Sequence, residues 1–175
     1  PTLLSHPAGG CSTCTAYVAV AAAQAAVASV LGTDASKVAM SPYDLYFCGQ
    51  SASSRGCRSG WQLRAAIQEL AVRLPRQPDC LPPTTTVLPG QLPSCDGCSI
   101  VNELASQGTF TAVPVKDVWE AQMYIRQYGG VAASFDVLTD FRPFYSSFGN
   151  AKKVYKSTGN ATLEERHAVV LVGYN

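Results

Sequence analysis

Gly10-Cys11-Ser12-Thr13-Cys14-Thr15-Ala16-Tyr17 stands at the mouth of an alanine-rich apolar stretch that runs on to Leu31-Gly32. The run from Thr13 to Val30 reads as one helix, apolar on nearly every face, so protein should wrap it on all sides. Ser12 or Thr13 is placed to cap its start, and Gly32 to end it in the left-handed conformation. Ala16 to Leu31 is the one membrane candidate. It is short, mostly alanine and broken by Gln24, where a span needs roughly 20 residues of stronger hydrophobicity, so a buried core helix and no membrane span is expected. The helix opens on a thiol, Cys14. Far downstream lies His167, in His167-Ala168-Val169-Val170-Leu171-Val172-Gly173-Tyr174. A thiol at a helix start and a distant histidine on a strand are the parts of a cysteine nucleophile and its base.

The bulk numbers bound what surrounds that pair. A chain of 175 residues is long enough for one sizeable core or two small lobes. Charged residues are 14% and the net charge is +1, with no basic or acidic run, which argues against a nucleic-acid partner or a polybasic membrane contact. The apolar share of 47% argues against disorder. Seven cysteines are many for a reducing cytosol, and the odd count fits three bridges plus one free thiol in a compartment that permits disulfides. Asn160-Ala161-Thr162 is an N-glycosylation sequon, in agreement with a secretory route. No signal peptide is visible, and the start at Pro1 reads as that of a processed or truncated product. His6 reads as part of a solvated N-terminal segment.

Further along, Ser41-Pro42-Tyr43-Asp44 is a second helix start, with a capping serine and proline in the first turn. Ser59 is expected to cap a third helix, whose Leu63, Ile67, Leu70 and Leu74 follow helical spacing. Pro75, Pro78, Pro82, Pro83, Pro89 and Pro93 mark a loop or crossover. Asp117 and Glu120 form a capping-box-like start to a helix closed by Gly129-Gly130. Val131 to Leu138, Lys153 to Lys156 and Ala168 to Tyr174 read as strands. A helical first half followed by a strand-rich second half is an α+β pattern with two lobes.

Six pieces of this chain, in order, resemble the papain family of cysteine peptidases, cathepsins included. Cys11-Ser12-Thr13-Cys14 takes the place of the family's Cys-Gly-Ser-Cys, and Ser41 to Cys48 that of its Leu-Ser-Glu-Gln-x-Leu-x-x-Cys helix. Gly56-Cys57-Arg58-Ser59-Gly60-Trp61 stands for Gly-Cys-x-Gly-Gly and an aromatic residue, and Gly129 to Asp136 for the Gly-Pro-Val-x-Val-x-x-Asp strand. Phe141, Tyr145, Gly149, Val154 and Tyr155 follow the Phe-x-x-Tyr-x-x-Gly-x-Tyr pattern, and His167 opens the His-Ala-Val-x-x-Val-Gly-Tyr strand.

The resemblance implies one papain-like domain over 1–175, with a helical lobe in 1–92 built on a central buried helix. An antiparallel β-barrel lobe in 93–175 would complete it, with an active-site cleft between the two. It implies an endopeptidase in which a Cys14 thiolate and a His167 imidazolium act through a thioacyl-enzyme, on a peptide or protein substrate and with no cofactor or metal. Ser59, Gly60, Trp61, Ser134 and Arg166 would line the substrate site. For Trp61 and Ser134 ordinary packing between lobes is the competing reading, and Asp136, Glu164, Glu165 and Arg166 read by themselves as surface charges. Cys11 would pair with Cys57, while Cys48, Cys80, Cys95 and Cys98 would share two bridges in any of three ways. A prodomain or larger parent polypeptide would be a partner, and the location extracellular, lysosomal or vacuolar.

Some positions depart from the pattern. Ala8 stands where the family has its oxyanion-hole glutamine, leaving the backbone N–H of Cys14 as a donor, and Thr15 replaces the usual tryptophan. Ser59 replaces the first glycine of the Gly-Gly pair. The family's N-terminal segment, its Asn-Ser-Trp motif and C-terminal strands have no counterpart between Pro1 and Asn175. One lost oxyanion donor costs on the order of 100- to 1,000-fold in rate. The alternative function is therefore a catalytically impaired papain-like domain, a binding or structural module in a larger assembly. Cys11-x-x-Cys14 and Cys95-x-x-Cys98 also invite a zinc or redox-dithiol reading, but they are too far apart for a zinc ribbon and the first opens a buried helix.

Overall fold

Alanine loses the least on entering a helix, and the alanine-rich run accordingly forms helix α1, Cys14–Leu31. The computed structural model describes residues 12–49, 60–82, 92–96 and 99–174. Gly32 closes α1 at φ +61°, its N–H directed to Ser29 and that of Thr33 to Ala28, the Schellman closure that the glycine predicted. Thr13 holds the N-cap position through its carbonyl, with no side-chain bond. The helix is not wrapped on all sides: Ala16, Val18, Ala19, Val20, Ala23 and Ala28 are buried, whereas Val30 and Leu31 are 70% and 42% exposed. By length and composition α1 passes for a membrane span. Its buried residues instead meet every other α-helix but the last and both strands, as a core helix does.

Helix α2, Pro42–Cys48, is buried along Pro42–Phe47. Ser41 caps it as expected: its Oγ accepts from the Asp44 N–H at 3.0 Å and donates to the Leu81 carbonyl at 2.6 Å. Helix α3, Leu63–Val72, presents Ala66 and Leu70 to α1. Gln62, not Ser59, is its N-cap and makes no side-chain bond. Gly60, left-handed at φ +65°, and Trp61 stand in the chain between Ser59 and that N-cap.

Asp44, fully buried, accepts from Arg73 Nη1 at 2.8 Å, from Arg76 Nε at 2.5 Å and from the Arg76 N–H at 2.9 Å. Arg76 Nη1 continues to the Cys95 carbonyl at 2.6 Å. Cys95 is in turn bonded to Cys48 at the end of α2, with Cα atoms 5.7 Å apart. A carboxylate with two guanidinium partners thus ties α2 to the end of α3 and to the start of the proline-rich stretch.

In the second half, α4, Val118–Tyr128, starts with the Asp117 carboxylate accepting from the Glu120 N–H at 2.8 Å and ends at Gly129, φ +80°. The antiparallel pair β1, Val131–Leu138, and β2, Leu163–Leu171, runs in register from Val131 opposite Leu171 to Asp136 opposite Arg166, with a bulge beyond Val137. β1 has the expected bounds, while β2 both begins and ends earlier than the Ala168–Tyr174 expected. Helix α5, Phe141–Ser146, follows β1. Lys153–Lys156 is not a strand: Lys153 closes a turn on Asn150, and Tyr155 packs on Phe141 and Phe144 while its hydroxyl donates to Asp140.

The core lies in the first half. Ala16, Ala19 and Val20 of α1, Val38, Met40, Tyr43, Leu45, Tyr46 and Phe47 around α2, and Ala66 and Leu70 of α3 form one buried cluster. Against this cluster packs Tyr17, whose phenol is pushed up to about 12, first by burial and then by Tyr43.

Candidate active site

Cys14 is the first residue of α1 and is half-buried, and among the described residues it is the free cysteine. The helix ladder begins with Ala16 and Tyr17, whose N–H groups both reach the Thr13 carbonyl at 3.0 and 3.2 Å. The N–H groups of Cys14 and Thr15 lie ahead of that ladder, so the positive end of the helix dipole is beside the sulfur.

Thr15, buried at 4% exposure, sends its hydroxyl out of the helix to the Trp61 carbonyl at 2.8 Å. Its Oγ1 also lies 3.9 Å from Cys14 Sγ. A Cβ added at Gly60 would stand 3.9 Å from Ser12 Cβ. Gly60 and Trp61 are therefore held along the entrance of α1, next to Cys14. The Trp61 ring packs edge-on against Tyr46, centroids 6.1 Å apart, so part of its surface belongs to the core.

His167 sits on β2 opposite Phe135, half-buried, with the two rings edge to face at 6.1 Å. α1 packs against β2, which puts the candidate nucleophile and its histidine on adjoining elements. Ser134 is exposed on β1 opposite Ala168, one place from the Phe135–His167 pair. Arg166 is paired with Asp136, Nε to Oδ1 3.3 Å, both side chains largely exposed. Glu164 and Glu165 pair with Arg142 at 4.0 and 2.5 Å, also at the surface. Reading these four as surface charges matches their placement. Asn160 lies in an exposed bend after the left-handed Gly159, accessible as a glycosylation site must be.

The Cys48–Cys95 bridge selects among the pairings that the sequence left open. Cys80 is also disulfide-bonded. A zinc pair at Cys95 and Cys98 is incompatible with the bridge, since Cys95 has no thiolate to offer. Ala8, Cys11, Cys57, Ser59 and Cys98 lie outside the described residues, and with them the oxyanion position and the expected Cys11–Cys57 pair.

An open cavity of about 540 Å³ runs along the other end of α1, lined by Ala23, Val27, Leu70, Phe110, Tyr128 and Val131. It begins no closer along α1 than Ala19, and the chemistry of Cys14 is not inside it. Two arrangements went unread in the sequence, the Thr15–Trp61 tie and the Asp44–Arg73–Arg76 cluster. Asp44 within the apolar run Pro42–Phe47 was the available signal for the second.

A family model described as papain family cysteine protease matches residues 6–175, a span that takes in both Cys14 and His167. No curated protein matches the chain.

Proposed function

Because this chain belongs to the papain family of cysteine proteases, with the α+β fold of that family, we propose that it hydrolyses peptide bonds with Cys14 as nucleophile and His167 as proton carrier. The observation that carries the reading is a free thiol on the first residue of a long helix that packs against the histidine's strand. The sulfur attacks the peptide carbonyl carbon, and the C–N bond breaks as His167 gives its proton to the departing amine. Water then attacks the thioacyl carbon, returning a proton to the histidine and freeing Cys14. The helical half and the strand half act as two lobes with the substrate between them, and the target is an internal bond of a peptide or protein. An oxidised Cys48–Cys95 pair and an accessible Asn160 fit a secretory, lysosomal or vacuolar location.

Turnover of a fluorogenic peptide together with iodoacetamide labelling against pH tests this. Cys14→Ala abolishes both turnover and labelling at that residue. His167→Ala abolishes turnover and moves the labelling of Cys14 to higher pH, toward the range of an ordinary thiol. Turnover that survives Cys14→Ala removes the proposal, and an unchanged labelling profile in His167→Ala shows that the two residues do not act together.

Ala8 favours a second reading, a papain-like domain of impaired catalysis that serves as a binding or structural module. Under it the thiol labels but peptide turns over slowly, and Ala8→Gln raises kcat/KM by roughly 10-fold or more by supplying an oxyanion donor. Brisk turnover by the Ala8 form, without gain on substitution, decides for the peptidase.

A further inference from the structure

We propose that Thr15 is a positioning residue for the peptide substrate, its hydroxyl mooring the Gly60–Trp61 backbone to the helix that carries the nucleophile. The inference rests on the reading of Cys14 given above. As the second residue of α1, Thr15 has no preceding helical turn whose carbonyl could take its hydroxyl. Thr15 instead bonds across 46 positions to the Trp61 carbonyl, at 2.8 Å and almost shielded from water.

Gly60 approaches the same entrance from the other side, against Ser12, and its left-handed backbone aims the segment there. With the Trp61 ring on Tyr46 of α2, the segment is gripped between the two helices. Residues 12 and 15 flank Cys14, so a shift of Gly60–Trp61 changes where a bound peptide lies relative to the sulfur.

The geometry separates positioning from activation. Thr15 has one hydroxyl proton, and at 2.8 Å the Trp61 carbonyl holds it. Toward Cys14 Sγ, 3.9 Å away, the oxygen then presents a lone pair. It accepts from a neutral thiol and offers nothing to a thiolate. Loss of the hydroxyl therefore removes no support from the thiolate, and its cost falls on peptide binding.

Thr15→Val keeps the branched shape and removes the hydroxyl, whereas Thr15→Ser keeps the hydroxyl. In Thr15→Val, KM for a peptide substrate rises roughly tenfold, the equivalent of one hydrogen bond. Peptide affinity measured in the Cys14→Ser background falls by the same factor. kcat changes little, and iodoacetamide labelling of Cys14 is not displaced to higher pH. Thr15→Ser restores most of the KM.

Unchanged KM and affinity in Thr15→Val, or Thr15→Ser as impaired as Thr15→Val, overturns the proposal. A labelling profile displaced to higher pH overturns it too, since the hydroxyl then serves the sulfur. If Cys14→Ala keeps its turnover, the nucleophile reading fails while the affinity arm still decides the mooring. Absence of peptide binding by the parent protein counts against both. Should Thr15→Val not fold, Gly60→Ala strains the same segment from the opposite side, and a parental KM in that variant overturns the mooring.

Discussion

The two halves of this molecule are held together by different means. Around α1, α2 and α3 whole side chains leave water: Ala16, Val38, Leu45, Tyr46 and Ala66 are fully buried, and so is the charged Asp44. Around β1, α5 and β2 the hydrophobic residues buried to that degree or nearly so are Val131, Val137 and Ala168. There the holding is done by half-exposed rings, Phe135, Phe141, Phe144, Tyr145 and Tyr155, with centroids about 5.0 to 5.5 Å apart, and by exposed ion pairs. Local stability follows buried contacts, so the strand half should open more readily than the helical half. Cys14 belongs to the first regime and His167 to the second.

Asp44→Ala is the largest way to break that contrast, because it leaves two guanidinium groups without their buried carboxylate. It should cost about 3–5 kcal/mol of global stability, seen as a lower denaturant midpoint by every probe at once. Phe141→Ala attacks the other regime. It removes ring contacts to Phe135, Tyr145 and Tyr155 at the surface, for about 2 kcal/mol, and hydrogen exchange should quicken in β1 and β2 while α1 to α3 keep their protection. Equal acceleration in both halves would show one cooperative unit.

Acid sharpens the contrast most gently. The Tyr155 hydroxyl, then the Thr158 N–H, hold the Asp140 carboxyl below the usual carboxylate range. A carboxyl lowered in the folded state contributes stability above its unfolded pKa of about 3.9, and that contribution drains away as pH falls through the lower folded value. The Thr158 amide should thus lose protection only below the ordinary range of aspartate. Asp140→Asn should flatten this dependence and leave the α2 amides unaffected.

Elements governed by neighbouring residues were legible in the sequence. Gly32, Ser41-Pro42, Asp117 and Gly129 each act within a turn of their own position, and each does what its chemistry predicts. Ser59 misled because leucine periodicity marks a helix without fixing its first turn. Lys153–Lys156 misled because a valine and a tyrosine between two lysines do not separate a strand from a loop with one anchored ring. For the site, motif order pointed to Cys14 and His167. The moorings around them, Thr15 to Trp61 and Asp44 to Arg73 and Arg76, join residues far apart in the chain and leave no local period to read.

The Cys48–Cys95 bridge encloses α3 and Gly60–Trp61 in a covalent ring. A single backbone cut anywhere inside that ring yields two pieces still joined through sulfur, which migrate as one chain until a reductant is added. In a compartment where proteases meet one another, such a nick leaves the molecule assembled, with Trp61 carried on whichever piece the cut assigns it to and Cys14 still tethered beside it.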